Sequence, residues 1–122
     1  MVINESVENY LETIYMLSKK LPVVRSIDIV HELDFKKSSI SVAMKNLRTN
    51  GYISVNEAGF ITLTDAGLKI AETIYERHDV LSRWLISLGV DENIATEDAC
   101  RMEHVISPES FKAIKDYVST HK

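Results

Sequence analysis

Residues 36–63 read Lys36-Lys37-Ser38-Ser39-Ile40-Ser41-Val42-Ala43-Met44-Lys45-Asn46-Leu47-Arg48-Thr49-Asn50-Gly51-Tyr52-Ile53-Ser54-Val55-Asn56-Glu57-Ala58-Gly59-Phe60-Ile61-Thr62-Leu63. In the first half, Ile40, Ala43, Met44 and Leu47 recur at i, i+3, i+4, i+7, the spacing of one helical face. Asn50-Gly51 stops that helix, with Gly51 suited to the left-handed backbone after a helix end. The period then drops to two. Ile53 and Val55 alternate with Ser54 and Asn56, and Phe60-Ile61-Thr62-Leu63 returns after a Glu57-Ala58-Gly59 turn. A two-stranded hairpin is not stable alone, so it must pack against the helices before it.

Upstream, a first helix is predicted over 6–19, capped by Ser6, with Val7, Tyr10, Leu11, Ile14 and Leu17 on its apolar face. Pro22 prevents its continuation. A short second helix follows Ser26, burying Ile27, Val30 and Leu33, and breaks at 34–37; Ser38 or a near neighbour caps the third. Downstream, Thr64-Asp65 open a long helix with Leu68, Ala71, Ile74, Tyr75, His78, Leu81, Leu85 and Leu88 along one side, ended by Gly89. A fifth helix from Asp91 to Glu103 carries Ile94, Ala95, Ala99 and Met102. Ser107-Pro108 opens a last one with Phe111, Ile114, Tyr117 and Val118. The fold class is mainly α with a small β-hairpin: a winged helix-turn-helix over 1–64, then an α-helical module over 65–122. Three helices this apolar on their outer faces are better served by a two-fold homodimer than by solvent.

The chain has 122 residues, of which 45% are hydrophobic and 26% charged, and a mean hydropathy of −0.06, which excludes wholesale disorder. No run of ~18 apolar residues exists to span a membrane. The Met1–Glu5 start offers no signal-peptide pattern. A single cysteine, Cys100, cannot make an internal disulfide, and a reducing cytoplasm is the expected setting. A net charge of −4 argues against a nucleic-acid partner, but the charge is uneven. Residues 1–64 carry 7 basic and 7 acidic side chains, residues 65–122 carry 7 and 11, and the stretch from Lys36 to Asn50 has no acid at all.

The third helix turns Ser38, Ser39, Ser41, Val42, Lys45 and Arg48 away from its apolar face, with Lys36 and Lys37 at its start. Cations and hydroxyls there can hold phosphates while short side chains approach base edges in the major groove. Val42 has no hydrogen bond to offer, so a thymine methyl is its natural target. Glu57 at the hairpin tip repels phosphate. A merely solvated basic surface is the alternative, but the element order and the missing acids favour double-stranded DNA.

Cys100, Glu103 and His104 fall at i, i+3 and i+4 on the fifth helix. Thiolate, carboxylate and imidazole on one face can supply three ligands to a divalent transition ion. His78, with Asn9 and Glu12 on the first helix, could complete one or two sites if those helices meet. A lone cysteine is usually a small buried hydrophobe, however, and a helical histidine a core residue; spacing alone leaves both readings open.

Over essentially its whole length the chain resembles the diphtheria-toxin-repressor family of iron- and manganese-dependent transcriptional regulators. The resemblance is carried by residues 8–15 (Glu8-Asn9-Tyr10-Leu11-Glu12-Thr13-Ile14-Tyr15), Leu63-Thr64-Asp65-Ala66-Gly67, Arg77-His78 and, most specifically, residues 98–107 around Cys100-Arg101-Met102-Glu103-His104. It implies a winged-helix DNA-binding domain and a helical metal-binding and dimerisation domain, with a dimer repressing metal-homeostasis genes at a palindromic operator. Cys100, Glu103, His104, His78 and Glu12 fall on metal-ligand positions. Asn9 stands where iron-type members commonly have Met and manganese-type members Asp. Cys100 stands where manganese-type members have a carboxylate, so Fe²⁺ is the expected ion, Mn²⁺ next, with Co²⁺, Ni²⁺ or Zn²⁺ as surrogates. Ser82 and Thr96 replace the Glu and His of an ancillary site, and the SH3-like domain of longer relatives is expected to be missing. A metal-independent or Cys100-based redox-responsive regulator is the runner-up. A hydrolase using Glu103 as base is disfavoured, because few loops are long enough to build a pocket, and a protein-contact winged helix is the third alternative.

Overall fold

The computed structural model describes residues 5–121; Met1–Asn4, read above for a leader, lie outside the described residues. The element order is α1 (Glu5–Lys20), α2 (Ser26–Leu33), α3 (Lys37–Thr49), β1 (Ile53–Val55), β2 (Ile61–Leu63), α4 (Asp65–Ser87), α5 (Glu92–Met102) and α6 (Pro108–Thr120). The chain divides into two compact units, one up to Glu72 and one from Thr73, so that the division falls within α4.

The first unit is the winged helix-turn-helix. Its core joins Leu11 and Ile14 of α1, Ile29 of α2, Ile40, Met44 and Leu47 of α3, and Ile53 and Ile61 of the hairpin. Each such side chain removed from water contributes about 1.5–3 kcal/mol. α2 ends at Asp34 in the left-handed conformation (φ 55). Gly51 (φ 82) closes α3 as the amide of Tyr52 returns to the Leu47 carbonyl at 3.0 Å. β1 and β2 pair antiparallel, with Ile53 opposite Leu63 and Val55 opposite Ile61. The Asn56 carboxamide oxygen accepts the amides of Ala58 and Phe60 and so builds the wing turn. The Ile61 amide also donates to the Val24 carbonyl at 2.7 Å, which stitches the α1–α2 loop to the hairpin.

Several local expectations are corrected. Ser6 lies inside α1 rather than capping it. Ile27 is exposed and Ile29 is the α2 core residue; two positions along a helix are a rotation of ~200°, so both cannot face inward. The N-cap position of α3 falls on Lys36, the near neighbour rather than Ser38, and among the described residues no side-chain hydrogen bond caps the helix.

The second unit packs Leu81 of α4, Ala99 of α5 and Phe111 of α6 with Val80, Trp84, Met102, Ile106 and Ile114 around them. Asp91 caps α5 by accepting from the amides of Asn93 and Ile94, and Ser107 caps α6 with Pro108 at its first position. The inward line of α5 is Ala95–Ala99, one helical turn apart, which leaves the neighbouring Ile94 exposed against expectation. Leu88 and Tyr117 are also exposed, at 61% and 52%. Among the described residues no helix is long and apolar enough to cross a membrane.

Candidate metal centre and nucleic-acid interface

α5 stops at Met102, one residue before the sequence expectation, and Glu103 keeps helical backbone as its C-cap. The amides of Val105 and Ile106 both donate to the Met102 carbonyl at 3.1 Å, turning the chain toward α6. In this turn the Glu103 side chain is fully buried. His78 Nδ1 of α4 lies 3.0 Å from Glu103 Oε2. His104 Nε2, on a ring only 1% exposed, lies 3.3 Å from Oε1. That second approach lacks hydrogen-bond geometry, so Glu103 Oε1 has no hydrogen bond among the described residues.

A carboxylate taken fully out of water costs several kcal/mol unless positive charge accompanies it. Two imidazoles supply charge only when protonated. Neutral rings offer a ring nitrogen instead, and His78 with the Glu103 carboxylate sets a nitrogen and an oxygen donor side by side, donor types suited to Mn²⁺, Fe²⁺, Co²⁺ or Zn²⁺. The residues present therefore fit a divalent ion.

The structure thus brings together His78, Glu103 and His104 in the second unit. Cys100, three residues before Glu103, is exposed. Asn9 and Glu12 lie one turn apart on α1 of the first unit; Glu12 is buried, and the backbone carbonyl of half-buried Asn9 accepts the Thr13 hydroxyl at 2.8 Å. The Ser82 and Thr96 hydroxyls donate to carbonyls of their own helices, those of Asp79 and Glu92. Arg77 was given no task by the sequence reading, yet its Nη1 donates to the carbonyls of Glu103 at 3.1 Å and Ile106 at 3.0 Å. Those partners stand 26 and 29 residues away, beyond the reach of any helical periodicity.

Lys36 at the N-cap of α3 and Lys37, Ser38, Ser39, Ser41, Val42, Lys45 and Arg48 on it are all exposed, opposite buried Ile40, Met44 and Leu47. Val42 is 60% exposed, high for a branched apolar side chain. Because no side chain caps α3, its first-turn amides, the positive end of its dipole and two lysines meet at one exposed place, a combination suited to a phosphate. Ser41, Lys45 and Arg48 also border a shallow groove of about 220 Å³ beside Val55 of the wing.

Residues 3–59 match the N-terminal DNA binding domain of the iron dependent repressors, and residues 64–122 match the family's metal binding and dimerisation domain. An HTH-type transcriptional regulator of Methanocaldococcus jannaschii is 31% identical over 98% of this chain and 97% of its own length. The transcriptional regulator MntR of Escherichia coli O6:H1 is 31% identical over 96% of this chain and 76% of its own. A solved structure of a manganese-dependent transcriptional repressor in complex with manganese superposes with a TM-score of 0.84 at 23% identity, which shows a shared fold. That match covers 93% of this chain, and the chain spans about half, 52%, of that longer protein.

Proposed function

The chain belongs to the diphtheria-toxin-repressor family of iron-dependent repressors, metal-dependent regulators that bind DNA, and from that membership we propose a cytoplasmic homodimer that represses metal-homeostasis genes when Fe²⁺, or secondarily Mn²⁺, is bound. The observation that carries this reading is the buried Glu103 carboxylate set between His78 and His104, with one oxygen lacking a hydrogen bond among the described residues. Glu103, His104 and His78 are the proposed core ligands. Cys100 adds a soft thiolate that favours Fe²⁺ over Mn²⁺, and Glu12 with Asn9 completes the set from α1.

When bound, the ion supplies positive charge that neutralises the gathered acids. The remaining work belongs to the chain. Leu11 and Ile14 of α1 share one core with Ile40 and Leu47 of α3, so a restraint on Glu12 and Asn9 is passed to the reading helix through packed side chains. Lys36 and Lys37 then engage phosphates. Ser38, Ser39, Ser41 and Lys45 approach the groove, and Val42 takes a thymine methyl. In a homodimer the two α3 helices sit about 34 Å apart, one turn of a palindromic operator. A preference of ~3 kcal/mol for that arrangement raises operator affinity more than a hundredfold. Operator binding is measured with Fe²⁺ or Mn²⁺ and with chelator; a hundredfold difference supports the switch, and equal affinity rejects it.

A further inference from the structure

We infer that Arg77 is a positioning residue for the metal site, gripping the backbone of Glu103 while the neighbouring His78 meets its carboxylate. The inference rests on the reading of Glu103, His78 and His104 as ligands. Arg77 Nη1 carries two N–H groups, and both are used, one on the Glu103 carbonyl and one on the Ile106 carbonyl. These oxygens lie three residues apart in the turn that follows α5, so a single nitrogen staples that turn shut. The guanidinium lies over the Phe111 ring of α6, 5.5 Å from its centroid, which fixes the staple itself. Consecutive residues of α4 therefore hold Glu103 at both ends, Arg77 by its main chain and His78 by its side chain. The staple also places His104, the next residue in the turn.

The sign of its effect separates positioning from simple electrostatics. A cation beside a divalent-ion site repels the ion, so charge alone makes removal of Arg77 tighten metal binding. Positioning makes removal loosen it, by ~10–100-fold, the usual range for groups that orient metal ligands. The test is Mn²⁺ affinity by titration, with the Co²⁺ d–d absorption spectrum as a report on ligand geometry, for the full chain, Arg77→Met, Arg77→Lys and Glu103→Gln. Arg77→Met is expected to bind Mn²⁺ 10–100-fold more weakly with an altered Co²⁺ spectrum, while far-UV circular dichroism stays unchanged. Arg77→Lys keeps the charge and reaches the carbonyls as a point donor, so it recovers part of that loss. If Arg77→Met does not fold, Arg77→Lys decides: weakening of threefold or more supports the staple, and unchanged affinity overturns it. Affinity equal to or tighter than wild type in folded Arg77→Met overturns it as well. Failure of the ligand reading itself is distinguishable, because Glu103→Gln then binds Mn²⁺ as tightly as the unsubstituted chain.

Discussion

Glu103→Gln changes a charge and almost no volume at a side chain that is 0% exposed. The carboxylate is buried, and among the described residues one of its oxygens has no hydrogen bond. If its role is to wait for an ion, neutralising it relieves desolvation, and the unliganded variant should be as stable as wild type or up to ~1–3 kcal/mol more stable. The metal-bound states diverge in the opposite direction. At a metal concentration of 100 Kd the wild type gains ~2.7 kcal/mol from binding, which at ~4 °C per kcal/mol for a chain of this size raises Tm by about 10 °C. The glutamine variant loses the anionic ligand and, at the same concentration, most of that rise. Thermal unfolding followed by circular dichroism, with chelator and with Mn²⁺, reads all four states. A variant that keeps the 10 °C rise excludes Glu103 as the anionic ligand. An unliganded variant destabilised by ~3–5 kcal/mol excludes it as well, because that loss is the signature of a broken structural ion pair between Glu103 and a protonated imidazole.

Other perturbations probe the remaining parts. Lys37→Ala and Lys45→Ala should each weaken DNA binding and reduce its salt-dependence slope by roughly one while leaving Mn²⁺ affinity unchanged, as fluorescence anisotropy across a salt series would show. Cys100 is exposed, so Cys100→Ala should leave the melting curve unaltered while weakening Fe²⁺ binding about tenfold and removing the near-ultraviolet thiolate-to-Co²⁺ absorption; a wild-type Co²⁺ spectrum without that band would strike Cys100 from the ligands. A side chain on Gly67 would run into the Tyr52 backbone oxygen, where the Thr64 amide already donates at 3.1 Å. Gly67→Ala should therefore cost ~1–3 kcal/mol in urea unfolding.

Much of the fold was legible because its signals are local. The change of period at Gly51, the Asn56–Gly59 turn and the Ser107-Pro108 start are all set by residues adjacent in the chain. Local rules misled where two signals competed. Ser38 is a good N-cap residue, but Asp34 in the left-handed conformation turns the chain early enough for α3 to begin at Lys37. Ile94 fits an apolar period, yet the small pair Ala95 and Ala99 supplies the inward face of α5. At the site, helical spacing marked Glu103 and His104 while placing both on a regular helix, whereas both stand in the turn beyond it. Their burial, the approach of His78 and the Arg77 staple depend on segments 25 to 29 residues away. Such contacts follow from packing and leave no periodic trace in the sequence.

The most direct measurement is anomalous diffraction from crystals of the protein grown anaerobically with Fe²⁺, recorded on both sides of the iron absorption edge. An iron peak within coordination distance of the Glu103 carboxylate and of a His78 or His104 nitrogen is the expected result. An ordered iron elsewhere, with the Glu103 carboxylate still bonded to His78 alone, would contradict it.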